Sequence, residues 1–382
     1  MKIVIAAWHL RNFNVGLGRY AHGLIEALGR VDTENQYDVF MPDDSCRFPE
    51  RPGMRYRTIR FPVFKRRFWE QVVSFMAGSH DILHFPYDSC VAWKQRRFVT
   101  TIHDVKPLIF PELNPRRNLN SAVERMLVGD KWRKIDHIVT DSESSRRDIL
   151  ARLPVSPDRL TVVYPGIDLD RFRPAEKSST FDVRRVKSPD HITSNLEPRT
   201  SSVRPYILSV AGADPTKNVE TLVEAFGRLP QPVRDAYNLV LVGDFRRRPE
   251  LRARAAFLGI EKQTIFPGVV DDDRLIELYQ QATLFVFLSR YEGFGLPVLE
   301  AMACGCPVIS SNASSLPEVA GDAALLVEPV DVAGLAKTME QVLSDQDLSR
   351  DLRVRGPARA MQFSWDRTAR EMVEVYKKVV EG

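Results

Sequence analysis

Twice along this chain, short apolar runs alternate with helical patterns, and a polar stretch separates the two series. In the first series Ile3–Ala7, Tyr37–Met41, Ile82–Phe85, Phe98–Ile102, His137–Thr140 and Leu160–Val163 read as strands, with helices at Arg19–Leu28, 118–134 and 142–151. In the second, strands at Tyr206–Val210, Leu239–Val242, Thr264–Phe266, Leu284–Leu288 and Pro307–Ser310 alternate with helices at 218–228, 249–258, 273–280, 297–304 and 332–343. Runs this short and continuously apolar suit strands covered on both faces. Strands alternating with helices predict an α/β fold with a doubly wound parallel sheet, which binds ligands outside the carboxyl ends of its strands. Residues 173–204 are rich in Ser, Pro, Arg and Asp, and thirty structureless residues fit a linker better than a domain interior. The expected organisation is an N-terminal domain 1–172, a linker 173–204 and a C-terminal domain 205–363, with a cleft between the domains. An amphipathic helix from Trp365 to Val380 follows, with Ala369, Met372, Val373 and Tyr376 on one face.

Composition narrows the class. At 382 residues, 44% hydrophobic and 27% charged, the chain is an ordinary globular one of two or three domains. It has no apolar run of eighteen and no export signal, so a cytoplasmic location is expected. Cys46, Cys90, Cys304 and Cys306 form no metal spacing and read as buried thiols. The net charge of +4 is unevenly spread: +6 over residues 1–172, +3 over 173–204 and −5 over 205–382. A basic first half suits an anionic partner, a membrane surface or lipid phosphate before nucleic acid; a solvated basic surface is the alternative.

The strongest local signal is Arg290-Tyr291-Glu292-Gly293-Phe294-Gly295-Leu296-Pro297-Val298-Leu299-Glu300, directly after the strand Leu284–Leu288. The glycines admit close approach of a ligand to the backbone, and Pro297 suits a first helical turn. Strand, glycine loop and helix N-terminus together form an anion site. Glu292 and Glu300 would repel a phosphate but accept hydrogen bonds from sugar hydroxyls, which suggests a ligand carrying both a diphosphate and sugars. The alternative is that Glu300 caps a turn and Glu292 is merely solvated.

This Glu-x7-Glu pattern resembles that of retaining glycosyltransferases of family 4, which have the GT-B fold. Further segments resemble the family in order: Gly16-Leu17-Gly18-Arg19-Tyr20, Thr101-Ile102-His103-Asp104, Asp141-Ser142-Glu143-Ser144-Ser145-Arg146-Arg147, Val163–Asp168, Leu316–Ala324 and Phe363-Ser364-Trp365-Asp366. Only the linker falls clearly outside the match. The resemblance implies two Rossmann-like domains, an N-terminal one for the acceptor and a C-terminal one for a nucleotide-sugar donor, with the last helix, 364–382, crossing back to the first.

It also implies roles. Glu292 would lie at the anomeric carbon and Glu300 at the ribose hydroxyls, while Gly293, Phe294, Gly295 and Leu296 would line the sugar and phosphate. Lys217, after the strand Tyr206–Val210, would neutralise the diphosphate, and Gly16 and Gly212 would let backbone pass close to it. His103 would belong to the donor site, and Val269 and Val270 would pack on the base. One departure stands out: neither Gly212 nor Thr216 is basic where the family commonly adds an arginine, which leaves Arg246, Arg247 and Arg248 as replacements. The implied chemistry is same-face attack, with the departing diphosphate taking the acceptor proton. No metal or other cofactor is expected. Asp271-Asp272-Asp273 opens a helix, where Asp is a common cap, and Asp168-Leu169-Asp170 abuts the linker.

The pattern looks most like mannosyltransferases using GDP-mannose, acting on a glycan or lipid-linked saccharide in polysaccharide or cell-envelope biosynthesis. A UDP- or dTDP-sugar donor, or a non-catalytic sugar-nucleotide binder, are the alternatives. Lys65-Arg66-Arg67-Phe68-Trp69 combines charge and aromatics and is expected to dock an anionic membrane at its inner face, or else to be an ordinary basic helix. No nucleic-acid partner is expected.

Overall fold

A computed structural model describes residues 1–12, 16–60, 66–89, 91, 97–113, 131–175 and 204–382. Most of the linker, most of the helix expected at 118–134, Lys65 and Cys90 lie outside the described residues. The chain divides into two compact units, Met1–Asp168 with Phe363–Gly382, and Leu169–Gln362.

The first unit is built on a seven-stranded parallel sheet in the order β3-β2-β1-β4-β5-β6-β7. Its strands are β1 (Lys2–Ala6), β2 (Gln36–Met41), β3 (Met54–Thr58), β4 (Ile82–Phe85), β5 (Phe98–Thr101), β6 (His137–Thr140) and β7 (Leu160–Val162). Alternation of side chains along a strand feeds two cores. Ile3 and Ile5 pack with the helix Gly16–Val31 on one face, while Val4 and Ala6 pack with Trp69, Val73 and Ile149 on the other.

The terminal helix Trp365–Glu381 joins the first of these cores through Ala369, Met372, Val375 and Tyr376. Hydrogen bonds along its length fasten it. The Tyr376 hydroxyl meets His84 Nδ1 at 2.7 Å, Thr368 Oγ1 donates to the Tyr164 carbonyl at 2.7 Å, and Arg97 donates to the Val380 carbonyl at 2.7 Å. Gly23 permits the close approach, since a Cβ there would lie 2.2 Å from the Trp365 ring.

The second unit carries a six-stranded parallel sheet in the order β10-β9-β8-β11-β12-β13. Its strands are β8 (Tyr206–Val210), β9 (Asn238–Val242), β10 (Thr264–Gly268), β11 (Leu284–Phe287), β12 (Val308–Ser311) and β13 (Leu325–Val327). Leu222, Val223 and Phe226 of the helix Val219–Arg228 share a core with Leu335 and Met339 of the helix Val332–Ser344. The helix Gln346–Ala360 packs through Gly356 on Met302.

In both sheets the order reverses once, between β1 and β4 in the first and between β8 and β11 in the second. At such a point neighbouring connections leave toward opposite faces and open a crevice at the carboxyl ends.

Candidate functional site

The crevice of the second unit is where the sequence signals meet. Lys217 follows β8, Glu292 follows β11, and Lys217 Nζ lies 2.5 Å from Glu292 Oε1, with the two side chains 23% and 15% exposed. Lys217 also sits 5.2 Å above the Phe287 ring.

Short side chains, Asp214 and three serines, hold this pair in place by gripping the main chain on either side. Asp214 caps a short turn, Pro215–Lys217, by accepting from the Thr216 N–H. The Thr216 carbonyl then accepts from the Arg290 N–H at 2.8 Å and from Ser289 Oγ at 3.1 Å, which stitches the two strand ends together. Ser314 Oγ accepts from the Glu292 N–H at 2.9 Å and donates to the Glu292 carbonyl, while Ser315 Oγ donates to the carbonyls of Glu292 and Phe294. Ser314 does this from the left-handed region (φ 56°), a strained setting for a residue other than glycine. Ser289, Ser314 and Ser315 carry no role in the sequence analysis, and Thr216 enters it only as a position without the family's basic residue. Their positions beside strand ends and the quoted Leu316-Pro317-Glu318 segment are the only signal they carry.

Gly295 caps the helix Leu296–Ala303 at φ 116°, and a Cβ there would lie 2.5 Å from Leu316 Cδ2. Only glycine fits, and the helix starts at the carboxyl end of the sheet with the Val298 and Leu299 N–H groups turned to the Gly295 carbonyl. Glu300, one turn further in, is buried, and the Tyr279 hydroxyl donates to its Oε2 at 3.0 Å. Gly212 follows β8 with open space where a Cβ would stand. Val269, 69% exposed, and Val270 follow Gly268 at the end of β10. Lys217, Gly212, Val269, Val270 and the loop and helix of Glu292–Glu300 thus lie at or beyond the carboxyl end of β8, β10 or β11, and the arginines 246–248 lie beyond β9.

Of the arginines named as replacements for the missing basic residue, two are already committed. Arg246 is paired with Asp244 at 2.8 Å, and Arg248 is held by Glu220 and Glu250. The aspartate run is committed too. Asp271 accepts from the Arg274 N–H as a helix cap, and Asp272 and Asp273 bind Arg171 at 3.3 and 3.1 Å. Among the described residues no cluster of three or more His, Cys, Asp or Glu is arranged to hold a metal.

In the first unit Gly16 opens the helix after β1, and His103 follows β5. His103 is not an open side chain. Its Nδ1 lies 2.5 Å from Asp141 Oδ2, its Nε2 donates to the Pro86 carbonyl at 3.2 Å, and the Tyr20 ring stands edge-on at 4.6 Å. Burial opposes a charge on this ring, but the charge and hydrogen bond of Asp141, with the Pro86 carbonyl, outweigh it and raise the His103 pKa above the usual histidine value.

The Lys65–Trp69 run does not present a single face. Helical spacing turns Trp69, Glu70 and Val73 inward. Trp69 is buried, donates to the Ile59 carbonyl at 3.2 Å and packs on Trp8, while Arg66 pairs with the buried Glu70 at 3.1 Å. The aromatic side of the helix Arg66–Met76 that does face outward is Phe68 and Phe75 with Met76, and Phe75 is 86% exposed. No helix of the described residues is long and apolar enough to cross a membrane.

Two family models match the chain, glycosyl transferases group 1 over residues 197–359 and glycosyltransferase family 4 over residues 15–171. The chain is 33% identical over 402 residues to O-antigen chain mannosyltransferase B of Escherichia coli, a match that takes in 99% of this chain and 100% of that protein. It is 32% identical to the serotype-specific mannosyltransferase WbdA of Escherichia coli over 81% of its length, and spans 37% of that longer protein. Its structure resembles sucrose-phosphate synthase of Thermosynechococcus elongatus at a TM-score of 0.71 and 22% identity, over 99% of both chains. With its two Rossmann-like parallel sheets the fold is GT-B, and the chain belongs to the group 1, family 4 glycosyltransferases.

Proposed function

We propose that this chain is a retaining, metal-independent hexosyltransferase that moves mannose from GDP-mannose to a glycan or lipid-linked saccharide in polysaccharide or cell-envelope biosynthesis. One observation carries the reading: Lys217 and Glu292 leave adjacent strands at the switch point of the second sheet and meet at 2.5 Å, with Glu300 in the helix that follows. Breaking a glycosyl–phosphate bond builds positive charge on the sugar and negative charge on the leaving diphosphate. In this reading the diphosphate draws Lys217 from Glu292 and lies against the start of the helix Leu296–Ala303, where the Leu296 N–H and the helix dipole meet its charge. Glu292, released, faces the donor sugar. Glu300, steadied by Tyr279, takes the ribose hydroxyls, and the base packs on Val269 and Val270. The acceptor attacks from the face the diphosphate leaves, and the diphosphate receives its proton. The names of the two Escherichia coli relatives favour mannose.

A second reading, a sugar-nucleotide binder without transfer, is favoured by Thr216, which stands where a second cation is common and whose hydroxyl donates to Asp214. Thermal-shift measurements against GDP-mannose, UDP-glucose, UDP-N-acetylglucosamine, UDP-galactose and dTDP-rhamnose separate these outcomes. A ligand that binds only the folded protein raises the midpoint. Stabilisation by GDP-mannose with transfer to a saccharide acceptor supports the first reading, and stabilisation without transfer the second. No shift with any donor removes both.

A partner follows for the first unit: an anionic membrane surface at the inner, cytoplasmic face. Residues 51–69 hold seven basic and no acidic side chains, of which Arg57, Arg60 and Arg66 are paired to Asp38, Asp44 and Glu70. Arg67, Phe68, Phe75 and Met76 form the outward side of the helix, where apolar burial adds to attraction for anionic lipid. Flotation with phosphatidylglycerol vesicles should carry the protein up at low salt, and Phe68→Ser with Phe75→Ser should abolish it. Equal flotation of that variant removes this partner.

A further inference from the structure

Three segments far apart in sequence, Gly16–Tyr20, Thr101–Asp104 and Asp141–Arg147, converge on one side chain in the first unit. His103 receives its ring contacts from Asp141 and Pro86, its edge contact from Tyr20, and a bond on its main-chain carbonyl from Ser145 Oγ at 2.9 Å. Asp141 and Ser145 belong to one turn: Asp141 directly follows β6, Ser142 caps the helix Glu143–Arg152 by accepting from the Ser145 N–H, and Ser145 reaches back to His103. One short segment therefore fixes both the ring and the backbone of the histidine.

The acceptors settle the proton count. The Pro86 carbonyl only accepts, so Nε2 carries hydrogen. At 2.5 Å, Nδ1 and Asp141 Oδ2 must share another. An imidazole is more basic than a carboxylate by about 2.5 pKa units, so that proton rests on the ring. Asp141 Oδ1 is buried with no partner among the described residues, so little else competes for this carboxylate.

The surrounding groups do not supply an alternative site for the charge. His84 on β4 is buried between Tyr376 and Thr101, and burial, with the His103 charge, lowers it to about 3. His9, in the turn Trp8–Asn12, is lowered to about 4 by burial, then by Arg66 and His103. Asp104 on the same loop adds negative charge, and Tyr20 contributes a ring edge. Of these three neighbouring histidines, His103 is the one bonded to a carboxylate.

We propose that Asp141 is a positioning residue that holds His103 as an immobile imidazolium, so that His103 serves transfer as a fixed positive charge and not as a proton carrier. This rests on the reading of the chain as a transferase with His103 in its site. Two measurements test it, and only one depends on that reading. In [15N]histidine-labelled wild-type protein at pH 8, one histidine should show both ring nitrogens protonated, and its signal should vanish in His103→Gln. If all histidines are neutral at pH 8, the proposal falls whatever the activity. In Asp141→Asn, transfer should fall at least tenfold between pH 6 and pH 8, while the wild type stays flat over that range. Ser145→Ala, which frees the backbone but leaves the ring pair, should lower transfer without adding a pH limb. A uniform loss in Asp141→Asn across pH means that Asp141 only supports the fold, and overturns the proposal. Absence of transfer by the wild type with every donor defeats the transferase reading and leaves the labelling result standing.

Discussion

The two switch points share a topology and treat charge in opposite ways. In the first unit the carboxyl end of the sheet is packed with rings: burial lowers His84 and His9, and His103 is locked against the carboxylate of Asp141. In the second unit the locking is done by neutral side chains on main-chain groups, from Ser289, Ser314 and Ser315, and the charged pair Lys217–Glu292 is left partly exposed. A pair that water and ligand can reach is cheap to rearrange, whereas a buried pair stays put because breaking it strands an unpaired charge. The contrast is sharper because residues 205–382 carry a net −5. Any diphosphate held by the second unit rests on a few local groups, not on a basic field.

The largest expected effect tests the open pair. Glu292→Gln should lower kcat for transfer about 10²–10³-fold, the cost typical of losing one electrostatic group at the reacting centre. Donor affinity by calorimetry should stay within a few-fold; a matching loss of affinity places Glu292 in donor binding instead.

Next is acid stability, which should divide the units. Every described histidine lies in the first unit. His84 is lowered to about 3 and His137 to about 4, each chiefly by burial. Below an unfolded value near 6.5 the unfolded chain binds protons that the folded one refuses, so stability falls as pH drops from 6.5 toward 4, by up to about 1.4 kcal/mol per pH unit for each. The raised His103 works in the other direction: its contribution is complete below 6.5 and is lost as pH rises through its folded value. From pH 6.5 to 5 His84 and His137 together cost roughly 3 kcal/mol. Hydrogen exchange should show amide protection falling in Met1–Asp168 before it falls in Leu169–Gln362, and equal loss in both units contradicts the contrast.

Gly295→Ala should cost about 2 kcal/mol through its left-handed backbone and the Leu316 contact, visible as a lower Tm with the first unit's exchange unchanged. Smallest is Tyr279→Phe. It removes one hydrogen bond to the buried Glu300, worth about 1 kcal/mol, and should raise the donor KM roughly fivefold while leaving kcat alone.

What could be read from the sequence was whatever has a period or a punctuation mark. Doubly buried strands such as Phe98–Thr101 and Leu284–Phe287 are continuous apolar runs, and the Gly293–Leu296 loop announces itself by glycine and proline. Strand β3, Met-Arg-Tyr-Arg-Thr, was missed because an edge strand with one covered face looks polar, and β13 because it is three residues long. The helix Gln346–Ala360 hid because it packs through one leucine, Leu352, with Gly356 and Ala360, small residues that carry little apolar signal. Within Lys65–Trp69 the contiguous run of charge and aromatics masks the helical period that turns Trp69 inward. Tyr279, Ser314 and Ser315 act through single hydrogen bonds, which no spacing in a sequence encodes.

The return of Phe363–Gly382 to the first unit has a consequence for biogenesis. The sheet of Met1–Asp168 is synthesised first, yet part of its core, with Ala369, Met372 and Tyr376, arrives only after all of Leu169–Gln362 has been made. At ribosomal speeds that delay is on the order of 10–40 s. For that interval the nascent chain shows an uncovered apolar face on the helix Gly16–Val31, and the second unit, though later in sequence, is free to fold first.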